Sequence, residues 1–164
     1  MMNETKADKS DAMSIEGYTI IFRKDRTKGG GGIAAFARDD IAPRCTVCTE
    51  SDDERCWVML HSDIGPVLAC CWYRPPKPGE IASITRFRDE YVSLREEAIG
   101  AIIIGDMNVH CASWLKYSSQ GNTPEGVHLR DTCHALGLKQ MVREPTREQN
   151  LLDFNNHRHV WCRI

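Results

Sequence analysis

The stretch Ala101 to His110, AIIIGDMNVH, constrains the fold more than any other part of the chain. Ala101 to Ile104 is an unbroken apolar run, which Gly105 stops and Asp106 follows at once. A short apolar run rich in β-branched residues and ended by glycine predicts a strand buried on both faces. Catalytic and binding groups in α/β proteins gather at the carboxyl ends of such strands. Asp106, Asn108 and His110 then follow at alternating positions. If the strand path continues briefly, all three side chains point the same way. A carboxylate at a rigid strand end suits metal binding or proton uptake from water, and an amide two residues on suits donation to a phosphate oxygen. The same letters also suit a polar turn after a core strand, where Asp and Asn are favoured.

With 164 residues the chain has the length of one domain, spanning 1–164. Hydrophobic residues at 41% and charged residues at 27% mark a globular composition and exclude a disordered one. The net charge of −2 shows no bulk basic excess, so any nucleic-acid contact must come from a local patch. No apolar run approaches the roughly 20 residues of a membrane span, and no membrane partner is expected. The opening residues, MMNETKADKSD, are polar and show no export signal. The eight cysteines are therefore expected as reduced intracellular thiols. Cys45, Cys48, Cys56 and His61 admit two readings, a zinc site or ordinary half-buried thiols.

Tyr18 to Phe22 and Ile33 to Ala37 are rich in strand formers and flank four glycines, Gly29 to Gly32. Strand, glycine turn and strand predict a hairpin. A phosphate cradle would need a helix start after the glycines, whereas Ile33-Ala34-Ala35-Phe36 continues as strand. Arg44 to Cys48, Arg55 to His61 and Val67 to Tyr73 are further strand candidates. Arg74 to Gly79, RPPKPG, is irregular, so Tyr73 also stands at a strand's carboxyl end. Ile81 to Ile99 places Ile84, Phe87, Tyr91 and Leu94 on one helical face, with Gly100 as its C-terminal stop. Thr123-Pro124-Glu125 reads as N-cap, first helical residue and early acid of a helix that runs to Leu136. Leu138 to Val142 and Asn150 to Phe154 read as short strands, and the tail 155–164 shows no period. Antiparallel strands first and helices interleaved later predict an α/β, or α+β, sandwich of sheets covered by helices.

Five segments in order resemble the endonuclease/exonuclease/phosphatase superfamily, and within it the endonuclease domains of non-LTR (LINE-type) retrotransposons. They are NETK at 3–6, GGGGIAAFARDDI at 29–41, WYRPP at 72–76, IIIGDMNVH at 102–110, and GLKQMVREPTR with NLLDF at 137–154. The resemblance covers nearly the whole chain, from Asn3 to Phe154. It implies a four-layer sandwich of two mixed β-sheets flanked by helices, and Mg²⁺- or Mn²⁺-dependent phosphodiester hydrolysis with DNA as substrate. It also implies roles. Glu4 would bind the metal, and Tyr73 would lie against the scissile phosphate. Asp106 would align and deprotonate the attacking water, Asn108 would hold a phosphate oxygen, and Asp153 would orient a catalytic histidine. His110 receives no catalytic role. A chain acting on genomic DNA would work in the nucleus.

Two parts of the family pattern are absent. The family begins with a strand bearing a metal-proximal asparagine, whereas this sequence starts almost at Glu4. The family ends with a strand bearing Ser-Asp-His, and in its place stands NNHRHVWCRI, whose His157 and His159 lie in no such context. The resemblance thus predicts a domain incomplete at both termini. The alternative function is a catalytically dead remnant with at most weak nucleic-acid binding, since losing one member of a catalytic unit costs orders of magnitude in rate.

Overall fold

The computed structural model describes residues 1–27, 29–115, 118 and 121–141, with the backbone alone for Glu50 and for 158–163. The predicted hairpin forms. Tyr18–Lys24 (β2) and Ile33–Arg38 (β3) pair antiparallel, with an irregularity between Ile20 and Phe22. Met2–Asn3 (β1) adds to the other edge of β3, with Met2 opposite Ala34 and Asn3 opposite Ile33. These three strands form a small sheet in the order β1-β3-β2.

The large sheet contains Cys45–Glu50 (β4), Arg55–Ser62 (β5), Gly65–Tyr73 (β6), Gly100–Asp106 (β7), Lys139–Gln140 (β8) and Arg158–Arg163 (β9). Its order is β4-β5-β6-β7-β9-β8. β6 and β7 run parallel and the other neighbours antiparallel. The parallel pair needs a crossover, supplied by the helix Ala82–Leu94 (α1). A second helix, Pro124–Ala135 (α2), starts as the sequence predicts, with the Thr123 side chain accepting from the Gly126 N–H.

Strand alternation divides the core in two. Trp57, Met59, Leu68, Cys70, Trp72 and Ile103 face the helices and pack with Ile84, Phe87, Tyr91 and Leu129. Cys56, Val58, Cys71 and Tyr73 face the small sheet and pack with Phe22, Ile33 and Ala35. The fold is thus α+β, two stacked sheets with two helices, as expected. Phe87 anchors α1 by stacking on Trp72, with ring centroids 4.7 Å apart, and on Trp57 at 5.7 Å. Beside them Arg55 is fully buried, its guanidinium 4.8 Å from the Trp72 ring centroid. Glu90 of α1 answers that charge, accepting from Arg55 Nε at 2.7 Å and Nη2 at 2.8 Å and from Trp57 Nε1 at 2.7 Å.

Several expectations are corrected. α1 ends at Leu94 and tightens into a 3₁₀ turn at Arg95–Glu97. Ala98 is already extended, and the Ile99 N–H donates to the Pro66 carbonyl at 2.9 Å, so Gly100 opens β7 instead of capping the helix. β7 does not stop at Gly105. It runs through to Asp106, because the glycine serves close approach: a Cβ there would sit 1.7 Å from the Trp72 carbonyl oxygen. Nor is β7 fully buried on both faces, since Ile102 and Ile104 are only half-buried. The tail, which shows no period in the sequence, supplies β9, which pairs antiparallel with β7 from Ala101 opposite Arg163 to Asp106 opposite Arg158. An unpaired edge on β7 would leave its backbone groups unsatisfied, and β9 covers it. Cys45, Cys48, Cys56 and His61 do not converge. Cys48 packs on the helix-facing core and Cys45 and Cys56 on the opposite one, while His61 Nε2 lies 3.3 Å from Thr46 Oγ1. The predicted strand Asn150 to Phe154 lies outside the described residues. No helix among the described residues is long and apolar enough to cross a membrane.

Candidate active site

Three of the predicted side chains meet where β6 and β7 end. The parallel ladder pairs Tyr73 directly with Asp106. Both positions fall on the side facing the small sheet, because Ala101 and Ile103 face the helices and the pleat alternates. Glu4 arrives from the small sheet. Thr5 and Lys6 continue the path of β1, their N–H groups donating to the carbonyls of Gly32 at 3.3 Å and Gly31 at 3.0 Å. Glu4 itself is left-handed, at φ 54°, as is Lys6 at φ 52°. Left-handed backbone at a residue with a full side chain is sparsely populated and clusters at functional sites. The turn swings the Glu4 carboxylate to Tyr73, whose Oη donates to Oε1 at 3.2 Å.

Electrostatics mark the same three residues. Burial, then the charge of Glu4 and its hydrogen bond, push the Tyr73 phenol up to about 12, so it stays a neutral donor. Asp106 is fully buried, and burial raises its carboxyl to about 7. The Asn108 N–H at Oδ1, 3.0 Å away, pulls it down, and the charge of Glu4 pushes it further up. Asp106 Oδ2 is buried and makes no hydrogen bond among the described residues. A buried carboxylate tuned close to neutrality is suited to exchange a proton.

Asn108 does not extend the strand, so Asp106, Asn108 and His110 do not share one strand face. It turns left-handed at φ 44°, and its N–H folds back onto Asp106. Its side-chain nitrogen donates to the Arg74 carbonyl at 2.9 Å. His110 is half-buried, with burial lowering its basicity, and its carbonyl accepts from the Thr123 N–H at 2.9 Å and from Thr123 Oγ1 at 3.1 Å. Asp153 lies outside the described residues.

Two residues matter that the sequence does not single out. Arg74 is buried behind the site and grips the loop after β7, donating to the carbonyls of Met107 at 3.4 Å and Asn108 at 3.3 Å. Its only signal is an arginine between a strand end and two prolines. Glu54 lies just before β5, where its carbonyl accepts from the Tyr73 N–H at 2.8 Å. Its carboxylate accepts from the Gly32 N–H and from Arg26 Nη1, the latter at 3.0 Å. No spacing in the sequence announces it.

Among the described residues no group of three or more His, Cys, Asp and Glu side chains is placed to hold a metal ion. The carboxylates available at the site are Glu4 and Asp106.

No family model matches the chain, and no curated protein matches it. Among solved structures the chain is similar to the endonuclease domain of TRAS1, a telomere-specific non-LTR retrotransposon. The TM-score is 0.61 at 18% sequence identity, covering 90% of this chain and 65% of that one. The chain therefore spans 65% of the length of the domain it matches. At that identity the likeness concerns architecture: the chain shares its fold with a retrotransposon endonuclease domain.

Proposed function

We propose that the chain is a metal-dependent phosphodiesterase that cuts DNA, with Glu4, Tyr73 and Asp106 around the reacting phosphate. The observation that carries this reading is their convergence: Tyr73 donates to Glu4, and Tyr73 and Asp106 end adjacent parallel strands on one face. The shared fold with an endonuclease domain supports it.

The donor set fits a hard cation. Mg²⁺ takes one or two carboxylates and completes its shell with water and phosphate oxygens. Glu4 would hold it, and the unsatisfied Oδ2 of Asp106, directed at no donor among the described residues, supplies an acceptor for the attacking water. Bound Mg²⁺ or Mn²⁺ would withdraw charge from the phosphate and support the developing oxyanion. Asp106, ionised above about pH 7, would take the proton of the attacking water. The neutral phenol of Tyr73 would donate to a phosphate oxygen. The Asn108 amide has two N–H donors, one held by the Arg74 carbonyl, which leaves the other to offer the substrate. Asp153 keeps the orienting role that the sequence resemblance implies.

The small number of ligating side chains among the described residues favours one alternative, a remnant that binds nucleic acid without cleaving it. Nicking of supercoiled plasmid in Mg²⁺ or Mn²⁺ separates the two. Wild type should nick, and Asp106→Asn should abolish nicking. Plasmid binding without nicking by wild type would select the alternative. Equal nicking by wild type and Asp106→Asn would place the chemistry elsewhere.

A further inference from the structure

The glycine turn between β2 and β3 is built around a cation. Arg26 Nε donates to the Gly30 carbonyl at 3.0 Å and Nη1 to Glu54 Oε1 at 3.0 Å. The second oxygen of Glu54 accepts the Gly32 N–H. A Cβ on Gly31 would lie 2.4 Å from Arg26 Nε and 2.7 Å from Glu54 Oε2, and Gly31 is left-handed at φ 76°. Only glycine lets the backbone pass this close in that conformation. Glu54 is 8% exposed and also takes the Tyr73 N–H on its carbonyl, so one buried residue ties together the cation, the turn and the tyrosine.

Arg26 then extends toward the site. Its guanidinium lies 5.7 Å from the Tyr73 ring centroid, and its side chain remains 42% exposed. A half-exposed ion pair contributes little to stability, so stability alone does not account for the cage. A guanidinium carries five N–H donors, more than the two that Gly30 and Glu54 take, in a planar fork that matches a phosphate. The positive charge is thus fixed in advance beside the residues that meet the scissile group.

We propose that Arg26 is a substrate-binding residue, held by Glu54 and the Gly30–Gly32 turn so that its guanidinium grips a DNA backbone phosphate next to the one being cut. This rests on the phosphodiesterase reading of the site and adds to it a contact that orients the strand.

The test is fluorescence anisotropy of a labelled duplex oligonucleotide bound by the full chain, in EDTA to prevent cleavage, over a range of NaCl concentrations. Arg26→Gln should weaken binding roughly tenfold, as expected for one charge-assisted contact. It should also flatten the dependence of log Kd on log salt by about one, the signature of one lost phosphate contact. Arg26→Lys should keep the slope and lose part of the affinity, because it keeps the charge without the fork. Arg38→Gln, at the opposite end of β3 and paired with Asp40, should change neither. In plasmid nicking, Arg26→Gln should raise KM and leave kcat within about twofold, as for binding shared by ground and transition states. Circular dichroism melts establish that each variant folds, and Arg26→Lys serves if Arg26→Gln does not. Wild-type affinity and slope in Arg26→Gln, or a slope lost in Arg26→Lys, would overturn this inference and leave the nuclease reading standing. A wild-type chain that neither binds the duplex nor nicks plasmid would overturn both.

Discussion

Tyr73 and Asp106 are direct register partners in the parallel β6–β7 ladder, and each is the last residue of its strand. A parallel pair brings both carboxyl ends to the same edge, so two groups 33 positions apart stand side by side on one face. Their proximity is electrostatic as well, since the charge of Asp106 is among the influences that raise the Tyr73 phenol.

The buried carboxyl of Asp106 makes stability fall with rising pH. Burial lifts it from 3.8 to about 7, so between these values the native state holds a proton that the unfolded chain has released. Stability therefore drops across roughly pH 4 to 7, by about 1.4 kcal/mol for each pH unit crossed, and levels off above. Asp106→Asn cannot ionise. We predict that it melts with wild type near pH 4 and several degrees higher at pH 8 without added metal. Thermal melts across this range check it, and a difference that does not grow with pH would contradict the assignment.

Added cation should reverse part of that penalty through Glu4. A ligand bound only by the folded state raises apparent stability by mass action. Millimolar Mg²⁺ should raise the wild-type melting temperature by about 2–4 °C, the size expected for about 1 kcal/mol in a domain of this length. Glu4→Gln should reduce the rise and His61→Ala should not. An equal rise in wild type and Glu4→Gln would remove Glu4 from the metal site.

Gly105→Ala should damage both fold and site. The added methyl would meet the Trp72 carbonyl, a backbone atom with no freedom to rotate away. Overpacking of this kind costs about 3 kcal/mol. Urea denaturation should show that loss, and nicking should fall with it because Asp106 is the next residue. A fully stable variant would mean that β6 and β7 lie further apart.

Removing Glu90 should reveal what a buried cation costs when left with only Asp53, whose Oδ2 lies 3.2 Å from Arg55 Nη2. Arg55 has no solvent exposure, and stripping a partner from a buried pair costs about 3–5 kcal/mol. Glu90→Ala should therefore destabilise strongly in urea melts. The double change Arg55→Met with Glu90→Leu should recover much of the loss, since an apolar pair needs no compensation. Equal losses in the single and double variants would show that packing, not charge, dominates there.

What the sequence reveals is local. The hairpin around the glycines, β4 to β6, and the Thr123 cap of α2 are legible because short-range patterns encode them. Glu4 and Tyr73 are legible only through a motif resemblance, and nothing in their own neighbourhood shows that they touch. Gly105 misleads because a glycine that ends an apolar run and one that admits a close neighbour look alike in one dimension. β9 escapes notice because six residues carry too little periodicity, and its pairing with β7 is set by an open edge. Arg74 and Glu54 are invisible for a different reason: the partners that place them at the site lie 19 to 34 residues away and are brought near by sheet pairing and sheet stacking.

The two-residue strand β1 gives the molecule a weak hinge point beside the Glu4 carboxylate. Glu4 is held by that short ladder, by the Thr5 and Lys6 amides and by one hydrogen bond from Tyr73, whereas Tyr73 and Asp106 are stitched into a six-stranded sheet. Sub-global opening of the first residues is therefore far cheaper than unfolding. The contact of Glu4 with Tyr73 should track the docked population of β1, decaying on warming before any cooperative transition begins. Amide hydrogen exchange at Thr5 and Lys6, much faster than at Ile103, would be its fingerprint.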